Sequence, residues 1–296
     1  MYDFEGVTRT YSIGREGETM KSIVLCADDY GQAIFISKAI IELVMCHRLS
    51  ATSCIVNGVD WRTQASWLFP FREEIEIGLH LNLTEGEALS TLFKNYYGKN
   101  LFSLPILMQK IFFHRLDLTV IQAECEAQLN HFYEAFGFLP HFIDGHQHVH
   151  HFPIVREALM HIYAQYFHSY RPYIRWVNER VRLIDWIVHF KKIIIHQMGV
   201  SPFKKLLDHY RIPHNQSFCG IYTFSNIRCF RPLFLRFLKE IGSGGIIMCH
   251  PAFLVSHQRN SLIRARYREY QYFMSQRFLE DLQAAEVILN CYKAKL

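Results

Sequence analysis

The chain has 296 residues, half of them hydrophobic and 15% aromatic, with a formal net charge of +5 and a pI near 8.7. This composition supports a sizeable buried core and excludes a disordered or fibrous chain. The charge falls well short of the Lys/Arg footprint of a dedicated nucleic-acid binder. Eight cysteines form no CxxC pair, which argues against a zinc ribbon or redox motif. Several of them sit in apolar runs, as small buried hydrophobes do in a reduced, cytoplasmic protein.

Residues 1–20 are polar and contain no apolar signal-peptide core, so they read as a flexible extension ahead of a single domain spanning 21–296. No run of 18 apolar residues occurs, and no membrane span is expected. Short β-branched apolar runs then recur at 22–27, 51–56, 74–83, 141–144, 173–177 and 245–250, each bounded by polar or turn residues. Their length and composition predict buried strands. Helical spacing fills the intervals. Residues 33–49 carry apolar positions at 34, 36, 40, 41, 43, 44 and 45. Residues 118–137 end in a glycine, and 154–167 follow Pro153, a plausible first-turn proline. Strand–helix alternation of this kind predicts an α/β fold built on parallel strands. Residues 178–218 break the alternation with a basic, aromatic stretch of helical period, read as an insertion beside the sheet. Its cations give it a choice between peripheral contact with a membrane or phosphate and a solvated helix face.

Polar clusters directly follow four of the apolar runs: ADDYG (27–31), HLNLTEG (80–86), DGHQHVHH (144–151) and HPAF (250–253). In an α/β barrel the C-terminal ends of the strands carry the active site, so four clusters there point to an enzyme. In ADDYG, strand alternation separates two adjacent carboxylates, leaving one to bind a metal and the other to act as a base; helix capping is the plain alternative. His80 and Asn82 share one face of their strand, with Thr84 two residues on. A lone histidine there is more often a hydrogen-bonded core residue. His146, His148 and His150 would share a face in extended backbone, and His146 lies nearest the strand end, within reach of Asp29 and His80. His148, His150 and Asp144 remain either to orient substrate or to support the ligands by hydrogen bonds from behind, while His141 and His151 read as surface or packing residues. His250, held extended by the proline that follows, suits acid–base chemistry. Arg175 and Trp176, ending the 173–177 run, are candidates to contact substrate: the arginine through a phosphate or carboxylate, the tryptophan by stacking on a sugar ring.

Taken together, LCADDYG, ATSCIVNG, GLHLNLTEG, DGHQHVHHFP and MCHPAF resemble the YdjC-like carbohydrate deacetylases, the group that includes chitooligosaccharide deacetylases, over about residues 22–255. GIYTF after the basic insertion is similar to members linked to hopanoid-lipid biosynthesis. The resemblance implies a distorted (β/α) TIM-like barrel of the polysaccharide-deacetylase kind. It also implies one divalent metal and hydrolysis of an N-acetyl group from an amino sugar or oligosaccharide. Carried over by motif, Asp29, His80 and His146 are the metal ligands, Asp28 the general base and His250 the general acid. The family implies magnesium, whereas two imidazoles and a carboxylate suit zinc or another transition metal on ligand softness. Tyr30 stands where phenylalanine is common, and Gln32-Ala33 replaces Leu-Ser. These departures bear on substrate rather than on the ligands. Two other readings keep the site: a lipid-linked or nucleotide-linked amino sugar as substrate, or a metal- or sugar-binding relative without catalysis. No nucleic-acid partner is expected, and a homodimer stays open.

Overall fold

The computed structural model describes residues 20–178, 199–224, 228–255 and 260–292. In chain order these form β1 (Lys21–Tyr30), α1 (Ile34–Met45), β2 (Ala51–Cys54), α2 (Trp61–Leu68), β3 (Glu76–Leu81), α3 (Thr91–Tyr97), α4 (Leu104–Phe112) and α5 (Leu118–Phe136). There follow β4 (Phe142–Gly145), α6 (Val155–Tyr166), β5 (Tyr173–Ile174), α7 (Ser201–His209), β6 (Phe218–Cys219) and α8 (Arg231–Glu240). The chain closes with β7 (Gly245–Cys249), α9 (Ser261–Met274), α10 (Gln276–Ala284) and β8 (Val287–Leu289).

The strands pair in parallel in the order β5-β4-β3-β2-β1-β7-β6, with β8 beside the start of β1. Parallel pairing follows from the helical crossovers, which return the chain to the same end of the sheet. The result is the expected α/β, TIM-like half-barrel. Its seam lies between β5 and β6, where no ladder forms among the described residues. A single bridge joins Ile174 to His214, and the Asn215 side chain substitutes for a strand: its Nδ2 donates to the Trp176 carbonyl at 2.9 Å and its Oδ1 accepts from the Trp176 N–H at 2.7 Å.

Side-chain alternation sorts the core into two layers. Ile23, Leu25 and Ala27 of β1, Ile77, Leu79 and Leu81 of β3, Ile143 of β4 and Ile247 and Cys249 of β7 pack in the larger cluster under the helices. Val24 and Cys26, Phe142, Tyr173, Ile246 and Met248 form a smaller cluster inside the barrel. The inward series continues up each strand to Asp28, His80, Asp144 and His250. Gly78, two residues before His80, leaves room for a neighbour: a Cβ there would lie 2.3 Å from the Phe142 ring, so only glycine lets that ring fill the barrel floor.

The helix over 118–137 forms as expected. The Asp117 side chain caps it by accepting from the Val120 N–H at 3.1 Å, and Gly137 ends it at φ 73°. Pro153 lies before α6 rather than in its first turn, because the chain turns through Ile154 at φ 67°. Two strands, β6 and β8, were not foreseen; at two and three residues they are too short to leave a pattern. Residues 1–19 and 179–198 lie outside the described residues, and with them most of the N-terminal extension and half of the 178–218 insertion; α7 forms the helical remainder of that insertion.

Candidate active site

Asp28 and Asp29 do not obey simple alternation. Ala27 sits opposite Thr52, and Tyr30 opposite Cys54, so three steps along β1 match two along β2. The extra residue is a bulge with Asp29 at φ 69°, a left-handed conformation that aspartate tolerates better than most residues. The bulge turns both carboxylates toward one imidazole: His80 Nε2 lies 3.4 Å from Asp29 Oδ1 and 4.0 Å from Asp28 Oδ2. The separation of the two carboxylates expected from a regular strand is therefore corrected.

Each of these groups is held from behind. His80 Nδ1 lies 2.6 Å from Asp144 Oδ1, which also accepts from the Ser53 hydroxyl. Arg175 lies between two carboxylates, with Nη1 and Nη2 at 2.7 and 2.8 Å from Asp28 and Nη2 at 2.7 Å from Asp144 Oδ2. His146 Nδ1 is 2.8 Å from Asp29 Oδ1, its Nε2 is 3.2 Å from Glu85 Oε1, and Arg266 Nη2 donates to Asp29 Oδ2 at 2.5 Å. Apart from Glu85, which is half exposed, all these side chains are buried.

Burial alone would raise the Asp29 carboxyl, but the charges of Arg266 and His146 hold it well below the usual carboxylate range. Burial would lower His80; the charges of Asp144 and Asp28 outweigh it and push the imidazole up to about 10. Asp144 is likewise held below its ordinary value, with Arg175 and His80 overriding burial. His250 goes the other way. Burial dominates, Asp29 opposes it only partly, and its pKa falls to about 4, leaving a neutral imidazole at pH 7.

Asp29, His80 and His146 each offer a donor atom, and all three atoms lie within 4.8 Å of one another. Donors on one small divalent ion, at about 2.0–2.2 Å from it, are separated by no more than about 4.4 Å, so minor adjustment brings the three onto one ion. The donor chemistry fits too, since His80 presents Nε2 while Asp144 fixes its far nitrogen, the arrangement common to metal-ligating histidines. Asp28, His80 and Asp144 meet the same spacing. There, however, Arg175 already neutralises both carboxylates, so the first set fits a cation better.

A family model of YdjC-like proteins matches residues 22–284. The chain belongs to the YdjC-like family. It is 30% identical over 173 residues to a carbohydrate deacetylase of Danio rerio, a match covering 53% of this chain and 52% of that protein. It is 28% identical over 242 residues to a chitooligosaccharide deacetylase of Yersinia pestis bv. Antiqua (strain Angola), covering 79% of this chain and 83% of that one. The chain thus spans about half the length of the first of these relatives and most of the second. Among solved structures, a candidate cellobiose-phosphate cleavage protein of Enterococcus faecalis superposes with a TM-score of 0.70 at 20% identity, covering 93% of this chain and 98% of that one. This likeness extends the barrel architecture across the YdjC-like chain.

The other expected site residues of this YdjC-like chain fall in different places. Asn82 organises its own loop: Oδ1 accepts from the N–H groups of Thr84 and Glu85, and Nδ2 donates to Asn57 Oδ1 and the Glu85 carbonyl. The Thr84 hydroxyl has no partner among the described residues. Residues 146–151 form a 3-10 turn with Gln147 and His148 at positive φ, so the extended backbone that would align His146, His148 and His150 is not formed. His150 Nε2 donates to the Arg175 carbonyl, and His148 packs edge-on to Phe218. Arg175 and Asp144 are fully buried behind His80. Trp176 sits at the seam, its Nε1 donating to the Val200 carbonyl.

Sequence reasoning missed Glu85, Arg266 and Glu269. Glu85 lies within the HLNLTEG cluster and could have been found there. Its loop is held by α5, where Glu124 accepts from the N–H groups of Leu89 and Ser90 and Gln128 brackets Asn82. Arg266 and Glu269, three residues apart on one face of α9, reach Asp29 and the His250 N–H respectively, the latter at 2.5 Å.

Proposed function

We propose that this protein is a metal-dependent carbohydrate N-deacetylase that removes an acetyl group from an amino sugar or oligosaccharide. The observation that carries the reading is the set Asp29, His80 and His146, brought from three separate strand ends to within 4.8 Å, with Asp28 on the same imidazole. The carbohydrate deacetylases of Danio rerio and Yersinia pestis among its relatives support the substrate class.

Asp29, His80 and His146 would hold one divalent ion, with zinc or another transition metal favoured over magnesium by two imidazole donors. Bound there, the ion supplies Lewis acidity toward the amide carbonyl and lowers the pKa of a water. Asp144 and Arg266 fix the orientation of His80 and Asp29. Asp28, oriented by Arg175, accepts a proton from the attacking water. The carbonyl oxygen gains negative charge as the acetyl carbon becomes tetrahedral, and that charge, with that of Asp29, draws the proton that Asp28 took from water onto the otherwise neutral His250. His250 then delivers its proton to the sugar nitrogen as the C–N bond breaks, since an amine leaves poorly unprotonated. Half-exposed Glu85 is the group placed to meet sugar hydroxyls, with the buried Thr84 beside it on the same loop.

The test is acetate release from N-acetylglucosamine oligomers by metal-loaded and chelator-stripped protein, with metal binding measured in parallel. Release that requires metal, and is lost together with metal binding in His80→Ala, is expected. Metal-loaded protein that frees no acetate from any amino sugar, while His80→Ala binds metal normally, would overturn both steps.

A further inference from the structure

Between β3 and α5 the chain makes an excursion through α3 and α4. Its base is fastened to the site loop: Glu87 bridges Asn100, the Leu101 N–H donates to the Gly86 carbonyl, and the Phe102 N–H donates to the Leu83 carbonyl. The excursion therefore moves with the loop that carries Thr84 and Glu85.

Helix α4 is apolar nearly all round. Leu107 and Ile111 face inward and are buried. On the opposite side, at about 100° per residue, Pro105, Ile106, Gln109, Phe112 and Phe113 fall within roughly 120° of one another. This stripe is open to solvent, with Ile106 46%, Phe112 74% and Phe113 54% exposed. Leu92 and Tyr96 on α3 are exposed as well. A helix with a second apolar face usually buries that face against something.

The charge pattern selects what covers it. From Ala88 to Leu116 the sequence contains Lys94, Lys99, Lys110 and Arg115 and no carboxylate. Lys99 pairs with Glu87 at the base; Lys110 lies over the Tyr97 and Phe102 rings, and Arg115 over the Phe113 ring. A two-fold contact with a second copy would set these cations against their equivalents. An anionic lipid surface attracts this excess of positive charge while accepting the aromatic stripe at the headgroup boundary, as interfacial amphipathic helices do.

We propose that the exposed face of α3 and α4 docks the protein on anionic lipid bilayers, beside the mouth of the candidate site. The experiment is co-sedimentation of the full chain with vesicles of phosphatidylcholine alone or with phosphatidylglycerol. Binding to the anionic vesicles, weakened by salt and at least tenfold stronger than to neutral ones, is expected. Phe112→Ser/Phe113→Ser is expected to lower that binding at least tenfold, with the far-ultraviolet circular dichroism unchanged. Lys94→Glu/Arg115→Glu, which leaves the apolar stripe intact, should abolish the preference for anionic vesicles. Wild-type protein that stays in the supernatant, or binding indifferent to both variants, would overturn the proposal. So would a dimer in sedimentation velocity that Phe112→Ser/Phe113→Ser dissolves, which would give the face to a second copy.

Discussion

Arg175→Met is the most informative single change, because it separates a buried counter-charge from a substrate contact. The guanidinium is fully buried and makes three contacts of 2.7–2.8 Å with two carboxylates that are themselves buried. Methionine keeps much of the volume but leaves Asp28 and Asp144 without their cation. Breaking a buried pair from one side costs about 3–5 kcal/mol, because the remaining charge is stranded. For a chain of this size that is roughly 6–15 °C in Tm. The deficit should depend on pH. Arg175 is the largest charge holding the Asp144 carboxyl below its ordinary value, so the stabilisation that the variant loses is full at pH 8 and declines as pH falls below about 5. Urea unfolding at both pH values measures this. A loss under about 1 kcal/mol at pH 8, with a raised KM for substrate as the main effect, would refute the buried-counter-charge reading and return Arg175 to the substrate side.

Glu76, beneath the barrel, is pushed up to about 7 by burial, which overrides the Tyr292 N–H and the Tyr173 hydroxyl. A carboxyl raised in the folded state gives stability that is fullest below its unfolded value and is lost as pH rises toward 7. Glu76→Gln should therefore gain up to about 3 kcal/mol at pH 8 and little at pH 4, read by thermal unfolding. Gly78→Ala drives a methyl into the Phe142 ring and should destabilise by about 1–3 kcal/mol, with Phe142→Leu in the same chain restoring part of the loss. His250→Ala should lower acetate release by about 10²- to 10⁴-fold with Tm nearly unchanged; a Tm drop that accounts for the loss would remove its catalytic role.

Much of the barrel was legible because its strands write themselves twice, once as β-branched runs and once as polar residues at their C-terminal ends. Asp28, Asp29, His80, His146 and His250 were all named from that coincidence, and the structure brings the first four into a single network. What escaped was of two kinds. A bulge depends on register against a neighbouring strand, so nothing in ADDYG reveals that Asp29 adopts positive φ and that both carboxylates meet His80. Long-range charge partners also leave no local signal: Arg266 is 237 residues from Asp29, and Arg175 is 147 from Asp28. Arg175 carried the chemistry of an anion binder, and it does bind anions, but they are the protein's own.

The same contacts divide the candidate site into a fixed side and an adaptable one. Behind the proposed metal ligands, Asp144, Ser53 and Arg175 form a buried network of hydrogen bonds and opposite charges, and interactions of that kind stiffen a site. At the mouth, Glu85 is half exposed and answers to Gln32 at 2.7 Å as well as to His146, on a loop whose backbone is held by Asn57, Asn82, Glu124 and Gln128. His250 lies between the two. Its backbone N–H is anchored by Glu269, while its Nδ1 has no partner among the described residues. An anchored backbone with a ring nitrogen left without a hydrogen-bond partner suits a group that must carry a proton rather than hold a position. It follows that substitutions at the mouth should change which sugar is accepted, whereas substitutions in the buried network should change whether the site forms at all.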